Sequence, residues 1–285
     1  MSRSVIVTGA AGGVGLALVE MLSRAGRRVI AMVLDDREAD RLRLAVPEVT
    51  NVIRCDLSNA DRVAPALAPI VSDDRLDLEA MVACAGVWPG TPLETTTLAE
   101  VRRTLEINTI APLAVFQVAL PALRRSRGRA VFVSSISGRM GIALNGSYAM
   151  SKFALEALAD VARRETAHWG VQVTVIQPGP IKTPMVTGML DHIAAIKHKL
   201  SRSERELYGS LYTGFADMCE KGYPDATPPG EVASAIMNVL AAPEPETRVQ
   251  VGPVAKQICD AARALPDREL DAIARSLISG AIFAK

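Results

Sequence analysis

Short apolar runs alternate with longer amphipathic ones over the first two-thirds of the chain. Residues 4–7 make the first apolar run, and 14–25 follows with apolar positions at helical spacing. Runs at 28–34, 49–55, 81–85, 130–134 and 171–177 repeat the strand pattern, while 37–44, 60–71, 98–123 and 148–169 repeat the helical one. Strands apolar on both faces belong in a sheet covered by helices on both sides. Their alternation with helices therefore predicts an α/β protein with a doubly wound, mostly parallel sheet. Past residue 183 the spacing turns helical. Met185, Met189, Ile193, Ile196 and Leu200 form one set, and Leu207, Leu211, Phe215 and Met218 a second. A helix at 228–241, a seventh strand at 247–251 and a helix at 266–278 begun by proline close the pattern. With no internal repeat or low-complexity linker, a single domain over residues 1–285 is expected.

Composition narrows the function classes. Of the 285 residues 49% are apolar and 4% aromatic, and the formal charge is +1. That balance offers no basic face for nucleic acid and no acidic tail. No run approaches the roughly 18 consecutive apolar residues of a membrane span. The chain enters its first strand at once, without the basic and apolar regions of a signal peptide. Cys55, Cys84, Cys219 and Cys259 fall in no metal-ligand or CxxC spacing, so no metal site is expected and the thiols read as reduced, in a cytoplasmic protein. His192 and His198, beside Lys197, Lys199 and Arg202, are expected to face solvent.

Two stretches carry candidate chemistry. In Ser147-Tyr148-Ala149-Met150-Ser151-Lys152 a tyrosine and a lysine stand four apart at the head of a strong helix former, which puts phenol and ammonium on one face. A tyrosine ordinarily titrates near 10, and a positive charge within about 4–6 Å lowers that value, giving an acid–base group for an alcohol or a ketone. After the first strand stand Thr8, Gly9, Gly13 and Gly15. Glycines there turn the backbone tightly and let it approach a pyrophosphate at a helix N-terminus, although the spacing departs from G-x-G-x-x-G.

Together with Asn108, Ser135 thirteen residues before the tyrosine, and Pro178-Gly179-Pro180-Ile181-Lys182-Thr183, these residues resemble the short-chain dehydrogenase/reductase family in its single-domain form, over roughly residues 4–252. A weaker likeness points to the branch of 3-hydroxybutyrate, retinol and hydroxysteroid dehydrogenases. The resemblance implies a Rossmann-type fold with seven strands. It implies Tyr148 as acid/base, Lys152 lowering its pKa and holding the nicotinamide ribose, Ser135 polarising the carbonyl, and Asn108 interrupting a helix to carry a proton relay. Ser134 and Ser137 would serve as turn caps. Gly9, Ala11, Gly13, Val14, Gly15, Leu34, Asp56, Leu57, Ala85, Gly86, Tyr148, Lys152, Pro178, Gly179, Ile181 and Thr183 would hold the dinucleotide. Residues at about 184–227 would form a lid over the substrate, ordinary core packing being the other reading of their apolar sets. Helices at 98–123 and 153–169 would assemble a homodimer or homotetramer.

One departure concerns the family's Asn-Asn-Ala-Gly after the fourth strand, which here is Ala83-Cys84-Ala85-Gly86, so any amide bracing must come from elsewhere. At the end of the second strand the family's acidic position falls on Val33 and the next on Leu34, with Asp35, Asp36 and Arg37 following. This favours NAD and leaves NADP open. Asp56 reads either as an adenine contact or as a helix cap, a role that suits Ser58 better. The expected function is an oxidoreductase interconverting a secondary alcohol and a ketone. The other reading is a catalytically silent dinucleotide-binding regulatory or scaffold protein. A related epimerase or dehydratase fits the glycine spacing less well.

Overall fold

A computed structural model describes residues 3–222 and 224–278. Seven strands form one parallel sheet: β1 (Ser4–Thr8), β2 (Arg28–Val33), β3 (Asn51–Arg54), β4 (Leu78–Ala83), β5 (Arg129–Val133), β6 (Gln172–Pro178) and β7 (Arg248–Val251). Their order is β3-β2-β1-β4-β5-β6-β7, so the direction of winding reverses between β1 and β4. Ligands of such sheets bind in the crevice at that reversal, outside the carboxyl ends of the strands.

Two cores flank the sheet, as the two-faced apolar strands require. Val5 and Val7 of β1 point to α1 (Gly13–Arg24), α2 (Asp36–Ala45) and α9 (Pro229–Ala241), whose Leu18, Leu22, Leu42, Val232 and Ile236 are buried there. Ile6 points to the other face, with Leu67 of α3 (Val63–Val71), Val115 and Leu123 of α5 (Ala111–Ser126), and Leu155 and Ala159 of α6 (Gly146–Thr166). Each such side chain contributes about 1.5–3 kcal/mol on burial. A satellite core joins α7 (Pro184–Lys199) and α8 (Arg202–Gly222). It packs Ile193, Tyr212 and Phe215 around Leu144, with Met189, Ile196, Leu200, Leu211 and Met218 at its margin. Leu207 is instead exposed. The side chain of Met185 and residue Tyr223 lie outside the described residues.

Several boundaries differ from expectation. β3 is shorter than 49–55 because Val49 closes a turn on the Val46 carbonyl. β4 starts at Leu78, earlier than expected, and holds Glu79 fully buried between Arg27 and Arg3. A further helix, α10 (Ala255–Ala264), stands where none was expected, before α11 (Asp267–Leu277). The helical region from 98 does agree with expectation: it is α4 (Leu98–Leu105) and α5 joined by a π turn, Glu106–Ile110, which interrupts the helix at Asn108. By length and composition alone, Leu98–Ser126 would cross a membrane, but half of its most apolar window is buried inside the fold.

Candidate active site

The carboxyl ends of β1, β4, β5 and β6 converge on one cleft. The turn after β1 is closed by Gly12 N–H on Gly9 O at 2.9 Å, and α1 starts at Gly13 with no acidic residue in its first turn. Gly9 has φ +61°, and a Cβ on it would lie 2.9 Å from Ala85 Cα. A Cβ on Gly15 would fall 2.1 Å from Gly9 O. Glycine at position 9 thus lets the turn lie against Ala85, and glycine at position 15 lets α1 start close against the turn itself. The α1 N-terminus opens from this turn, with Ala11 and Val14 buried beneath, and a helix N-terminus favours an anion, so the cradle fits the pyrophosphate of a dinucleotide. Thr8 Oγ1 accepts from Cys84 N–H and Ala85 N–H, each at 3.1 Å, which supplies the bracing that the missing amides left open.

At the far edge of the cleft, Asp35 does not point toward a ribose. It caps α2 by accepting from Glu38 N–H at 2.9 Å, while Glu38 Oε2 accepts from Leu34 N–H at 2.8 Å. This reciprocal capping box fixes the corner and leaves the Leu34 side chain 51% exposed. Asp36 pairs with Arg54 at 2.6 Å. Asp56 accepts from Ser58 N–H at 2.9 Å, which holds its carboxyl below the usual range, and Leu57 is buried beside it. The cap of the following turn is Asn59, not Ser58. Beyond β6, Pro178 pairs with Val251, Gly179 N–H donates to Val251 O, Ile181 bridges to Thr227, and Thr183 precedes α7 as its N-cap.

Tyr148 and Lys152 lie on the first turns of α6. Burial raises the phenol's pKa, and interaction with the Ser135 hydroxyl pulls it down. Lys152, 3% exposed, donates from Nζ to Val133 O at 2.9 Å and sits 5.7 Å from the Tyr148 ring centroid. Burial lowers its own pKa to about 8. The expectation that Lys152 depresses the phenol is therefore not what this state of the molecule displays. Helical spacing brings the two side chains together, but the ammonium engages the end of β5, and dehydration of the phenol dominates. Glu156, one turn further along α6, is buried and accepts from Gln177 Nε2 and Arg248 Nε, each at 2.9 Å.

Ser135 follows β5 and caps a short 3₁₀ turn, Ile136–Gly138, accepting from Ser137 N–H at 3.1 Å. The capping role expected of Ser134 and Ser137 thus belongs to Ser135. Ser137 Oγ accepts from Asn145 Nδ2 at 3.3 Å, whereas the buried Ser134 Oγ has no partner among the described residues. Asn108 sits in the π turn, fully buried. Its Nδ2 donates to Val87 O (3.0 Å) and Ser151 Oγ (2.9 Å), and its Oδ1 accepts from Val87 N–H (2.9 Å). The side chain therefore pins the Gly86–Val87 backbone to α6. A Cβ on Gly86 would meet Asn108 Oδ1 at 3.5 Å and Lys152 Nζ at 3.7 Å.

Trp88 and Leu144, which the sequence does not single out, and His192 complete the surroundings. Trp88 stacks on Phe215 at 5.5 Å and donates from Nε1 to Asn145 Oδ1. Leu144 is buried with φ +64°, a left-handed conformation that costs a bulky residue about 1–2 kcal/mol. No residue type in the sequence signals that strain, since glycine or asparagine is the usual occupant. His192 is exposed as expected, yet donates to Pro89 O at 2.7 Å and meets Trp88 edge-on at 6.0 Å.

Comparison with known proteins accords with this geometry. The profile of the family described as short chain dehydrogenase matches residues 3–193. A 3-amino-tetrahydro-pyrrolizinone reductase of Xenorhabdus hominickii is 31% identical over 273 residues, covering 94% of this chain and 93% of its own. Human retinol dehydrogenase 16 is 31% identical over 278 residues, covering 95% and 87%. Among solved structures, a short chain dehydrogenase from Burkholderia cenocepacia in complex with NADP superposes with a TM-score of 0.71 at 24% identity, covering 98% of both chains.

Proposed function

The chain belongs to the short-chain dehydrogenase family and is an oxidoreductase; from that premise we propose that it uses NAD(P) to interconvert a secondary alcohol and a ketone. The observation that carries the reading is the meeting of Tyr148, Ser135 and Lys152 beside a glycine turn whose shape suits a pyrophosphate. A bound dinucleotide supplies or accepts the hydride at its nicotinamide. Tyr148, held protonated by burial, donates its proton to the substrate oxygen in reduction and takes it back in oxidation. Ser135 Oγ, already committed as acceptor to Ser137 N–H, has its own hydrogen free to donate to the same oxygen and polarise the carbonyl. Lys152 brings an ammonium near the phenol, and turning from Val133 O toward the cleft would let it stabilise the phenolate and hold ribose hydroxyls. Asn108 holds the loop facing Lys152, and the π turn leaves backbone carbonyls able to bind water for a proton relay.

The dinucleotide preferred is NAD. The Asp35–Glu38 box keeps carboxylates at the corner where a 2′-phosphate would sit, and Asp36 occupies Arg54. Calorimetric titration with both dinucleotides tests this, and tighter NADP binding would reverse it. One domain carries both sites, α7 and α8 forming the lid over the substrate. Ile110, Met150, Phe153 and Val161, exposed along the outer helices, suit a homodimer or homotetramer, which light scattering would reveal. Tyr148→Phe tests the chemistry: turnover should fall by about 10³-fold or more with dinucleotide affinity unchanged. A panel of hydroxysteroids, short hydroxy acids and aryl alcohols, read by nicotinamide absorbance, supplies the substrate. Near-normal turnover by the variant removes the acid–base role.

A further inference from the structure

Ser135 and Tyr148 lie on separate elements, and one residue bonds to a neighbour of each. Asn145 ends the segment between them. Its carbonyl accepts from Ala149 N–H at 2.6 Å, closing the first turn of the helix that carries Tyr148. Its side chain faces the other way, Nδ2 donating to Ser137 Oγ at 3.3 Å, and Ser137 N–H in turn donates to Ser135 Oγ at 3.1 Å. The remaining end of the amide, Oδ1, accepts from the Trp88 indole N–H. Both ends of this buried amide are thus engaged, so its orientation is fixed.

Two further features over-determine its place. Leu144, directly before it, holds φ +64° while buried, and Asn145 N–H closes the turn on Ile142 O at 3.1 Å. A left-handed leucine persists only where its surroundings impose it, and here they are Ile193, Tyr212 and Phe215 of the lid helices. The same Phe215 stacks on Trp88 with an interplanar angle of 15°. The lid therefore grips Asn145 from two sides, through Leu144 by packing and through Trp88 by a hydrogen bond.

We infer that Asn145, clamped by Trp88 and the strained Leu144 turn, is a positioning residue that sets Ser135 against Tyr148 when the lid is seated. This rests on the reading of Ser135 and Tyr148 as the groups that meet the substrate oxygen. A residue acting through Ser135 should lose its effect once Ser135 is gone, whereas an independent stabiliser should not.

The test is a double-mutant cycle on kcat with NAD and the fastest substrate among hydroxysteroids, 3-hydroxybutyrate and 1-phenylethanol. Ser135→Ala and Asn145→Ala are each expected to lower kcat by about ten- to a hundredfold, with KM and NAD affinity changed less than about threefold. The double variant should be no slower than Ser135→Ala. Losses that multiply in the double variant, or an Asn145→Ala kcat equal to wild type, overturn the inference. A Ser135→Ala enzyme as fast as wild type instead fails the underlying reading, and the inference with it. Trp88→Phe keeps a ring on Phe215 and deletes only the N–H, so it stands as the milder check should Asn145→Ala not fold. It should lose about three- to tenfold in kcat with KM unmoved, and wild-type kcat there overturns the clamp.

Discussion

At the amino ends of β1 and β4 a carboxylate is buried, and at the carboxyl ends of β5 and its neighbours an ammonium is; the two are treated differently. Glu79 is met by Arg27 at 2.9 Å and Arg3 at 3.4 Å, so its charge is matched where it lies. Lys152 has a backbone carbonyl for its hydrogen-bond partner, and its pKa has fallen to about 8. Glu156, the carboxylate one turn further along the same helix, is itself tied to Arg248 at 2.9 Å. A charge with its counter-charge in place serves the fold. A charge dehydrated with no ion pair among the described residues is held against the fold's own preference, as ionisable groups at functional sites commonly are.

Replacing each charge should separate the two ends. Lys152→Met is expected to cost about 10³-fold in turnover while raising the urea midpoint at pH 7, since the dehydrated ammonium is gone; a lowered midpoint would break the contrast. In the unsubstituted protein, stability should climb as pH rises from about 8 toward the ordinary value of 10.5, because there the unfolded chain holds a proton the native Lys152 has shed. Below about 8 that contribution is flat, and across the whole interval it amounts to on the order of 3 kcal/mol. Thermal melts from about pH 8 to about pH 10, inside the linkage window, would register the rise, and Lys152→Met should abolish it. Arg27→Ala should do the reverse of Lys152→Met, lowering stability by about 2 kcal/mol with turnover per folded molecule intact. That is less than a fully buried pair would lose, because Arg27 is one-third exposed and Arg3 remains. Smallest is Thr8→Val, about 1–2 kcal/mol for two amides deprived of their acceptor, with weakened dinucleotide binding measurable by calorimetry.

How much of this was legible in the sequence follows the same division. The alternation of apolar runs determines the layer order, and i,i+4 spacing puts Tyr148 and Lys152 on one helical face. The glycine turn is readable because only glycine permits the approach of position 9 to Ala85. What escaped reading depends on partners distant in the chain. A strand holding Glu79 looks polar until Arg27 and Arg3 arrive, so β4 was expected to begin too late. Spacing cannot reveal that Val133 O competes for the Lys152 ammonium, nor how dry the phenol is. That Asp35 is also the cap of its own helix depends on how the chain turns after β2. The Asn145 clamp gave no signal, since it depends on a tryptophan 57 residues away and on a backbone angle unusual for leucine.

The π turn at Glu106–Ile110 has a consequence for the helix around it. An α-helix advances about 100° per residue, so the widened loop of backbone works as a slipped thread that re-phases everything after it. Glu106 is free to cap Ala60 N–H at 2.8 Å while Asn108 faces inward and Val115 and Phe116 still meet the sheet. Straightening the turn without removing a residue would swing α5 by roughly a quarter-turn, offering Gln117 to a surface shaped for valine, whereas excising one residue would restore an unbroken screw with α5 facing as it does now. Whether this turn winds as π or as α is therefore a change of gearing between two halves of the molecule.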